Sequence, residues 1–331
     1  MARYKITTLS PIHISSGEDY ENNFNMLYDN GYVYIYDEFK IAQFFIDKNV
    51  EIPSNFDTLK QNISKFRKEI ISSNIHIRKI ESEFSKIDKI LFENISTASK
   101  PIITGSSLKG SIRTAILDSM TNKTLKWDRI TLTFRNKDFD EKRFKSKFDN
   151  DLANLFKYLK ISDSFNDLNT KIYKTINMKK DIEHQSSRES KVKHLVNLVE
   201  CIKPNQNFEI TIDDISDEIF FKSMGTVCNK FYIPWFKDET TNYFKAPTNA
   251  SKATFEKLKS LNNNCFLINI GRFAGAERKS INDLRYIKNS KADDKTTTSA
   301  RTYALERLAN DEVYFEKELV PFGWLLCELI D

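Results

Sequence analysis

The sequence lacks the marks of a membrane-spanning, secreted or disulfide-bonded protein. No stretch of its 331 residues approaches the roughly 18 consecutive apolar residues that a membrane-spanning helix needs. The N-terminus enters a strand-like alternation at once and has no signal-peptide core. The four cysteines form no C-x-x-C pair, which favours reduced thiols in the core: Cys201, Cys228, Cys265 and Cys327. These absences predict a cytoplasmic protein.

The motifs of several enzyme classes are also missing. The four histidines are not spaced four apart, and neither an H-E-x-x-H motif nor a His-Asp pair occurs, so we expect no metal centre and no cofactor. A mononucleotide P-loop needs Gly-Lys-Ser/Thr at its end, whereas Ser111 and Ile112 follow Gly110 here. A net charge of +5 permits a local nucleic-acid-binding patch without requiring one.

The most informative segment is PIITGSSLKGSIRTAIL at residues 101–117. It predicts an apolar entry, a hydroxyl-rich turn with Ser106 or Ser107 as N-cap, and a helix whose buried face carries Leu108, Ile112, Ala115 and Ile116. Lys109 and Arg113 lie four residues apart on another face of this helix. Free backbone N–H groups, the positive end of the helix dipole and two cations together suit an anion, and a polynucleotide phosphate fits better than ATP.

A second glycine loop follows an apolar strand in the sequence FLINIGRFAGAERK, residues 266–279. Gly271 and Gly275 flank Arg272 and Phe273, and Arg278 and Lys279 follow them. The basic residues of this loop form a second candidate phosphate-binding group. Phe273 could stack on a base or be buried in the loop, and the sequence favours neither. No RNP1-type pattern is present, so base stacking on a sheet face as in ordinary RRM domains is not indicated.

The remaining patterns mix strands with helices without a regular βαβ repeat, which favours the α+β class. We predict strands near residues 3–9, 31–36, 171–176, 266–270 and 320–330, and helices near 38–48, 135–160 and 216–227. Apolar spacing over residues 59–92 predicts a helical hairpin or two amphipathic helices. Residues 194–202 and 208–212 predict a β-hairpin around Pro204 and Asn205.

Several motifs together resemble the RAMP (repeat-associated mysterious protein) superfamily of CRISPR effector subunits, along nearly the whole chain. They are LSPIHISSGE at 9–18, ITGSSLKGSIRTA at 103–115, ISDS at 161–164, ECIKP at 200–204, GRFAG at 271–275 and PFGW at 321–324. Within the superfamily, the chain is most similar to the subunit that caps the type III-A (Csm) effector complex. Thr104 stands where the family usually has proline, and this departure bears on partner contacts more than on the fold.

The resemblance implies an α+β fold of two ferredoxin-like (RRM-like) modules with helical insertions, at residues 1–190 and 191–331. It implies a non-catalytic subunit that binds crRNA, caps the filament of backbone subunits at the crRNA 3′ end, and supports 3′-end maturation by recruiting host nucleases. The RNA-binding residues we expect are His13, Ser106, Ser107, Lys109, Arg113, Arg272, Phe273, Arg278 and Lys279, with structural glycines at Gly17, Gly105, Gly110, Gly271 and Gly275.

Two alternatives remain open at this stage. Some RAMP relatives cleave crRNA without a metal, with a histidine as general base on the ribose 2′-OH, and His13 is the candidate for that role. Alternatively, the 59–92 segment assembles the complex with little RNA contact. Asp163, between two serines, is best interpreted as a turn or capping carboxylate.

Overall fold

The structure is a computed structural model, which describes residues 1–87, 90–120, 156–179, 188–191, 196–214, 218–243, 249–261, 264–281, 300–308 and 313–331. The described strands are β1 (Ala2–Thr8), β2 (Ser15–Glu21), β3 (Met26–Asp29), β4 (Tyr32–Ile35), β5 (Arg78–Glu81), β6 (Ile90–Asn94), β7 (Ser96–Thr97), β8 (Lys100–Pro101), β9 (Leu159–Ile161), β10 (Thr170–Lys179), β11 (Glu189–Lys191), β12 (Leu198–Ile202), β13 (Asn207–Asp214), β14 (Cys265–Asn269), β15 (Ala300–Leu305), β16 (Val313–Phe315), β17 (Leu319–Pro321) and β18 (Trp324–Leu329). The described helices are α1 (Glu38–Asp47), α2 (Phe56–Lys65), α3 (Arg67–Ser72), α4 (Gly105–Met120), α5 (Glu218–Lys237) and α6 (Asn249–Leu261). A π-helical segment, Asp238–Tyr243, continues α5.

A five-stranded antiparallel sheet in the order β14-β18-β1-β13-β9 contains strands from both ends of the sequence. Helices α4 and α5 pack against this sheet. Their buried residues recur every three or four positions, as in Leu108, Ile112 and Ile116 of α4 and Cys228 and Tyr232 of α5. The apolar face predicted for α4 is therefore confirmed. Strands β14 and β18 are buried nearly throughout, which explains their unbroken apolar sequences.

A second, nine-stranded sheet follows the order β2-β6-β12-β10-β5-β4-β3, with β15 and β17 paired beside β10. The pairs β6–β12 and β5–β10 are parallel, and the other described pairs are antiparallel. Helices α1 to α3 cover part of this sheet through an apolar cluster that includes Phe44, Phe45 and Ile70. Helices combined with mostly antiparallel sheets agree with the predicted α+β class.

The helical hairpin predicted over residues 59–92 is only half correct. Helices occupy Phe56–Lys65 and Arg67–Ser72, but Arg78–Glu81 and Ile90–Asn94 are strands of the nine-stranded sheet. Ile80 and Leu91 are buried in that sheet rather than on a helix. The three- and four-residue spacing of apolar residues misled the prediction because strands separated by a loop reproduced the same spacing.

The β-hairpin predicted around Pro204 is wrong. Strand β12 pairs with β10 and β6 in the nine-stranded sheet, whereas β13 pairs with β1 and β9 in the five-stranded sheet. The turn with Asn205, at φ 63°, therefore passes the chain from one sheet to the other. Strands from both sides of residue 190 contribute to both sheets, so the sheets do not coincide with residues 1–190 and 191–331.

The strands predicted near 3–9, 31–36, 171–176 and 266–270 and the first helix agree with the structure, and the helix predicted over 216–227 extends to Lys237. The single strand predicted over 320–330 is instead two strands, β17 and β18, which belong to different sheets. Most of the predicted segment 135–160 lies outside the described residues, which resume at 156.

Within the described ranges, no helix is both long and apolar enough to cross a membrane. All four cysteines are buried and unpaired, as predicted, and burial raises the pKa of each thiol.

Candidate nucleic-acid interface

The two glycine-containing segments singled out in the sequence line the same cavity of about 380 Å³. Helix α4 contributes one wall through Ser107, Gly110, Ser111 and Thr114, which recur at helical spacing. The loop after β14 contributes the other wall, and the start of β2 adds Ile14 and Ser15. The loop wall consists of Asn269, Ile270, Gly271, Arg272, Arg278 and Lys279.

The N-terminus of α4 is held close to the edge of the five-stranded sheet. Gly105 is buried, and a Cβ at this position would collide with the carbonyl oxygen of Ile161 and lie 2.8 Å from that of Ser162. The Gly105 N–H donates to Oδ1 of Asp163 at 2.8 Å, which confirms Asp163 as a capping carboxylate. Gly105 is therefore required by the close approach of two backbones.

The N-cap predicted at Ser106 or Ser107 is wrong. The helix begins at Gly105, and Oγ1 of Thr104 accepts a hydrogen bond from the Ser107 N–H at 3.3 Å. Ser106 donates its hydroxyl to the same Thr104 oxygen at 3.1 Å, and Ser107 lines the cavity. The threonine in place of the family's proline thus supplies the cap that the serines were expected to supply.

Lys109 and Arg113 do not line the cavity. At 100° per residue they lie, on average, about 130° around α4 from the middle of the cavity-lining face. Both side chains are half-buried, and the Arg113 guanidinium lies 5.7 Å from the ring centre of Phe156. The cavity therefore does not include this basic pair, and both residues remain on the surface of α4.

The loop wall is attached to the segment that carries His13. Gly271 has φ 91°, and a Cβ there would lie 2.6 Å from the His13 carbonyl oxygen, so glycine is required. The same oxygen accepts the Arg272 N–H at 2.8 Å. This contact leaves the Arg272 side chain exposed at the cavity, with its guanidinium 4.8 Å from the ring centre of Phe92.

Lys279 supplies the second exposed cation of the cavity. Its Nζ donates to the Arg272 carbonyl at 3.3 Å. Although the side chain remains in contact with solvent, the surrounding walls and the charge of Arg278 lower the pKa of Lys279. Within the described part of the chain, neither Arg272 nor Lys279 forms an ion pair with a carboxylate, so both charges are available to an anionic ligand.

Arg278 and His13 lie mostly in the protein interior, although Arg278 contributes to the cavity lining, and both stay predicted RNA contacts. Arg278 is 2% exposed, and its guanidinium is paired with Glu239 at 3.0 Å. His13 is 1% exposed, and its Nδ1 lies 2.8 Å from the Glu200 carbonyl oxygen. Burial, assisted by the charge of Arg272, lowers the pKa of His13 to about 3, so the ring is neutral at physiological pH.

Phe273 packs partly into the loop, and its predicted stacking on a base stays a prediction. Its half-buried ring packs between His13 and Phe322, with ring centres 5.5 Å and 5.2 Å away.

Gly275, at φ 85°, leaves room for the Arg278 guanidinium, since a Cβ would lie 2.9 Å from its Nη2. Gly17, at φ 95°, lies exposed within β2 and outside the cavity lining.

Sequence reasoning missed the polar residues that hold this site together. Asn269 is buried at the end of an apolar strand, where its side-chain amide donates to the Phe322 carbonyl at 2.9 Å. An asparagine inside an apolar run was a usable signal for such a role. Glu239 gave no signal, because it stands in a charged stretch typical of a solvated surface, yet it is fully buried.

Comparison with known proteins agrees with the sequence motifs. The model of the RAMP superfamily matches residues 5–328, and the chain belongs to that superfamily. A Methanocaldococcus jannaschii protein described as "CRISPR system Cms protein Csm5" is 33% identical over 179 residues, which are 49% of this chain and 42% of that protein. The matched region thus spans less than half the length of this relative.

Two solved structures share the fold. One is a chain of a Csm–crRNA–target RNA ternary complex of a type III-A CRISPR-Cas system, with a TM-score of 0.63 and 15% identity, covering 99% of this chain and all of the other. The second is the crystal structure of T. onnurineus Csm5, with a TM-score of 0.57 and 16% identity, covering 97% of this chain and 99% of that one. The predicted resemblance to the RAMP superfamily and, within it, to a subunit of the type III-A (Csm) complex is confirmed by the family match and by the relatives named Csm5.

Proposed function

We propose that the chain is a crRNA-binding subunit of a type III-A Csm effector complex and that the cavity holds the RNA backbone. The observation that carries this proposal is that one cavity is lined by Arg272 and Lys279, two cations without a carboxylate partner among the described residues, and by the hydroxyl-bearing Ser107 and Thr114. Cations and hydroxyls are the groups that contact phosphate and sugar. Such contacts do not read bases, which suits a protein that must hold any guide sequence.

Gly110 supports the same ligand from the helix side. It lies inside α4 and is exposed at the cavity, and beyond its chain neighbours and its own helix backbone no atom of the described residues lies within 4 Å of the position its Cβ would take. Glycine inside a helix costs about 1 kcal/mol relative to alanine, and nothing in the protein's own packing requires it here. A ligand backbone that approaches the helix closely would account for it.

We further propose that this subunit caps the backbone filament at the crRNA 3′ end and supports 3′-end maturation. The relative named Csm5 and the similarity to a chain of a Csm–crRNA–target RNA complex support this role. Its partners would be crRNA, the adjoining backbone subunit and the nucleases that trim the 3′ end. The shared fold supplies no residue for the protein contacts, so those partners rest on the relatives alone.

The topology of the five-stranded sheet supports a ferredoxin-like module. The elements of this module occur along the chain in the order β1, α4, β9, β13, α5 and β18, with other elements between them. They give the strand order β18-β1-β13-β9, the arrangement of a β-α-β-β-α-β unit, with β14 added at one edge. We propose the nine-stranded sheet with α1 to α3 as the second module.

We propose that the subunit is not itself a nuclease. His13, the candidate general base, is buried, its Nδ1 faces a backbone carbonyl, and its low pKa makes it a poor proton acceptor near neutral pH. Incubating the purified protein with repeat RNA in EDTA tests this point. Intact RNA is expected, and cleavage that disappears in His13→Ala would support the endoribonuclease alternative.

Titration of single-stranded RNA at several salt concentrations tests the binding proposal. We expect the double variant Arg272→Ala/Lys279→Ala to bind more weakly and to have a salt slope shallower by about 0.7 per lost phosphate contact. Lys257→Ala/Lys259→Ala, which removes two lysines of α6, is the matched control and should leave both quantities unchanged. Identical curves for wild type and the cavity variant would favour the assembly-only alternative.

A further inference from the structure

The loop after β14, which lines the cavity, is attached to a buried carboxylate in the π-helical segment after α5. Glu239 is fully buried, and both of its oxygens accept hydrogen bonds. Oε1 accepts from Nη1 of Arg278 at 3.0 Å, and Oε2 accepts from Nε1 of Trp324 at 2.8 Å. Glu239 thus joins the loop residue Arg278 to a strand of the five-stranded sheet. π-helical turns occur frequently at functional sites.

Arg278 transmits this attachment through the loop. Its Nε donates to Oδ1 of Asn269 at 3.1 Å and to the carbonyl of Ala274, so the start and the middle of the loop are tied to one guanidinium. The next residue is Lys279, whose ammonium donates to the Arg272 carbonyl. The two cations that face the cavity are therefore placed by a set of contacts that begins at Glu239.

A second arginine, on a strand of the nine-stranded sheet, also joins the π-helical segment to the loop. Arg301 of β15 donates from Nη2 to Oδ2 of Asp238 at 2.6 Å, and from Nε and Nη2 to Oε2 of Glu277 at 3.2 Å. Asp238 and Glu239 are adjacent in the π-helical segment, and Glu277 and Arg278 are adjacent in the loop. Asp238 thus holds Glu277 through Arg301, whereas Glu239 holds Arg278 directly.

Stability alone does not require this arrangement. Replacing a buried ion pair by apolar residues of similar volume is often neutral or stabilising, because removing two charges from water offsets much of their attraction. We propose that Glu239 is a positioning residue for RNA binding: through Arg278 it fixes the loop so that Arg272 and Lys279 face the cavity. This inference rests on the function proposed above and adds the group that orients its phosphate contacts.

The salt dependence of RNA affinity separates positioning from contact. A residue that touches phosphate changes the slope of log affinity against log salt when it is removed, whereas a residue that only orients the contacts lowers affinity and leaves the slope nearly constant. We expect Glu239→Gln, nearly isosteric but uncharged, to weaken binding of a single-stranded RNA oligonucleotide by about five- to tenfold with the wild-type slope. Glu256→Gln removes the same charge from an exposed pair with Lys259 and is expected to bind like wild type.

A milder variant keeps the test decisive if Glu239→Gln does not fold, which circular dichroism on the full chain will show. The Asp238 side chain is 43% exposed, so Asp238→Asn disturbs the loop through Arg301 at a smaller cost to folding. It should weaken RNA binding about two- to threefold at constant slope. Wild-type affinity in the folded variants, or a changed slope, would overturn the inference. Absence of RNA binding by the wild-type protein would instead overturn the proposed function.

Discussion

The backbone N–H of Gly105 donates a 2.8 Å hydrogen bond to Oδ1 of Asp163, which joins the first residue of α4 to the turn after β9. The carboxylate also lies at the positive end of the helix dipole, where negative charge is stabilising. Residues 58 positions apart in the sequence thereby fix the helix that forms one wall of the cavity.

Removing this cap should destabilise the protein. Asp163→Ala is expected to lower the free energy of unfolding by about 1 kcal/mol, the usual contribution of an N-cap side chain. Urea denaturation followed by circular dichroism measures the loss. Asp167→Ala is the control, since Asp167 lies nearby in an exposed pair with Lys100, and such pairs contribute little. Equal losses in the two variants would contradict the capping role.

The two glycines at the ends of the GSSLKG sequence should respond in opposite ways to the same substitution. Gly105→Ala places a methyl group against the Ile161 carbonyl and should destabilise the protein by about 3 kcal/mol. Gly110→Ala meets open space and should stabilise α4 by up to about 1 kcal/mol. Thermal unfolding separates the two expectations.

RNA titration completes the comparison of these glycines. Gly110→Ala should weaken RNA binding in spite of its greater stability, because its methyl group occupies part of the cavity. Ser119→Ala, at an exposed position of α4 outside the cavity lining, is the control and should bind as wild type does. If Gly110→Ala binds RNA normally, no ligand backbone approaches this position.

His13 should make the protein sensitive to acid. Its pKa is lowered to about 3 in the folded protein and is ordinarily near 6.5, so below pH 6.5 the unfolded chain binds a proton that the folded state excludes. Stability should fall by up to about 1.4 kcal/mol per pH unit as the pH decreases from about 6.5 towards 3.

Unfolding measured between pH 7.5 and 4.5 tests this expectation. His13→Gln should be less stable than wild type at pH 7.5, because Gln does not reproduce the buried ring, but its loss of stability on acidification should be smaller. Parallel curves for the two proteins would show that His13 titrates normally and is not buried as described.

The surface of α4 that carries Lys109 and Arg113 remains a predicted RNA contact. Because these residues lie on the flank of α4 away from the cavity, they test whether RNA continues across the helix. Lys109→Ala/Arg113→Ala should reduce affinity and make the salt slope shallower by about 1.4, or about 0.7 per contact. A slope equal to that of wild type would confine the RNA to the cavity.

The sequence contained most of the local structure and the motifs of the site. The apolar face of α4, the buried strands β14 and β18 and the glycine loop at 271–275 were predicted because each depends on neighbouring residues. The connections between the two sheets were not predicted. The passage of the chain between two sheets at Asn205 depends on partners such as β1 and β10, which local patterns do not specify.

Burial of charged and polar side chains was the property of the site that the sequence did not indicate. Arg278 and His13 have the residue types of RNA ligands, and nothing local distinguishes them from the exposed Arg272 and Lys279. Their partners, Glu239 and the Glu200 carbonyl, are 39 and 187 positions away. Tertiary contacts at such distances decide which basic residues face a ligand and which hold the protein together.

Photo-crosslinking in the assembled complex tests the central claim most directly. A crRNA with 4-thiouridine at single positions is incorporated into a reconstituted effector complex, irradiated, and the crosslinked peptides of this subunit are mapped by mass spectrometry. We predict crosslinks from the 3′ portion of the guide to residues 105–114 and 270–280, and none from the 5′ portion. Crosslinks confined to other surfaces of the subunit, or arising only from the 5′ end, would contradict the account.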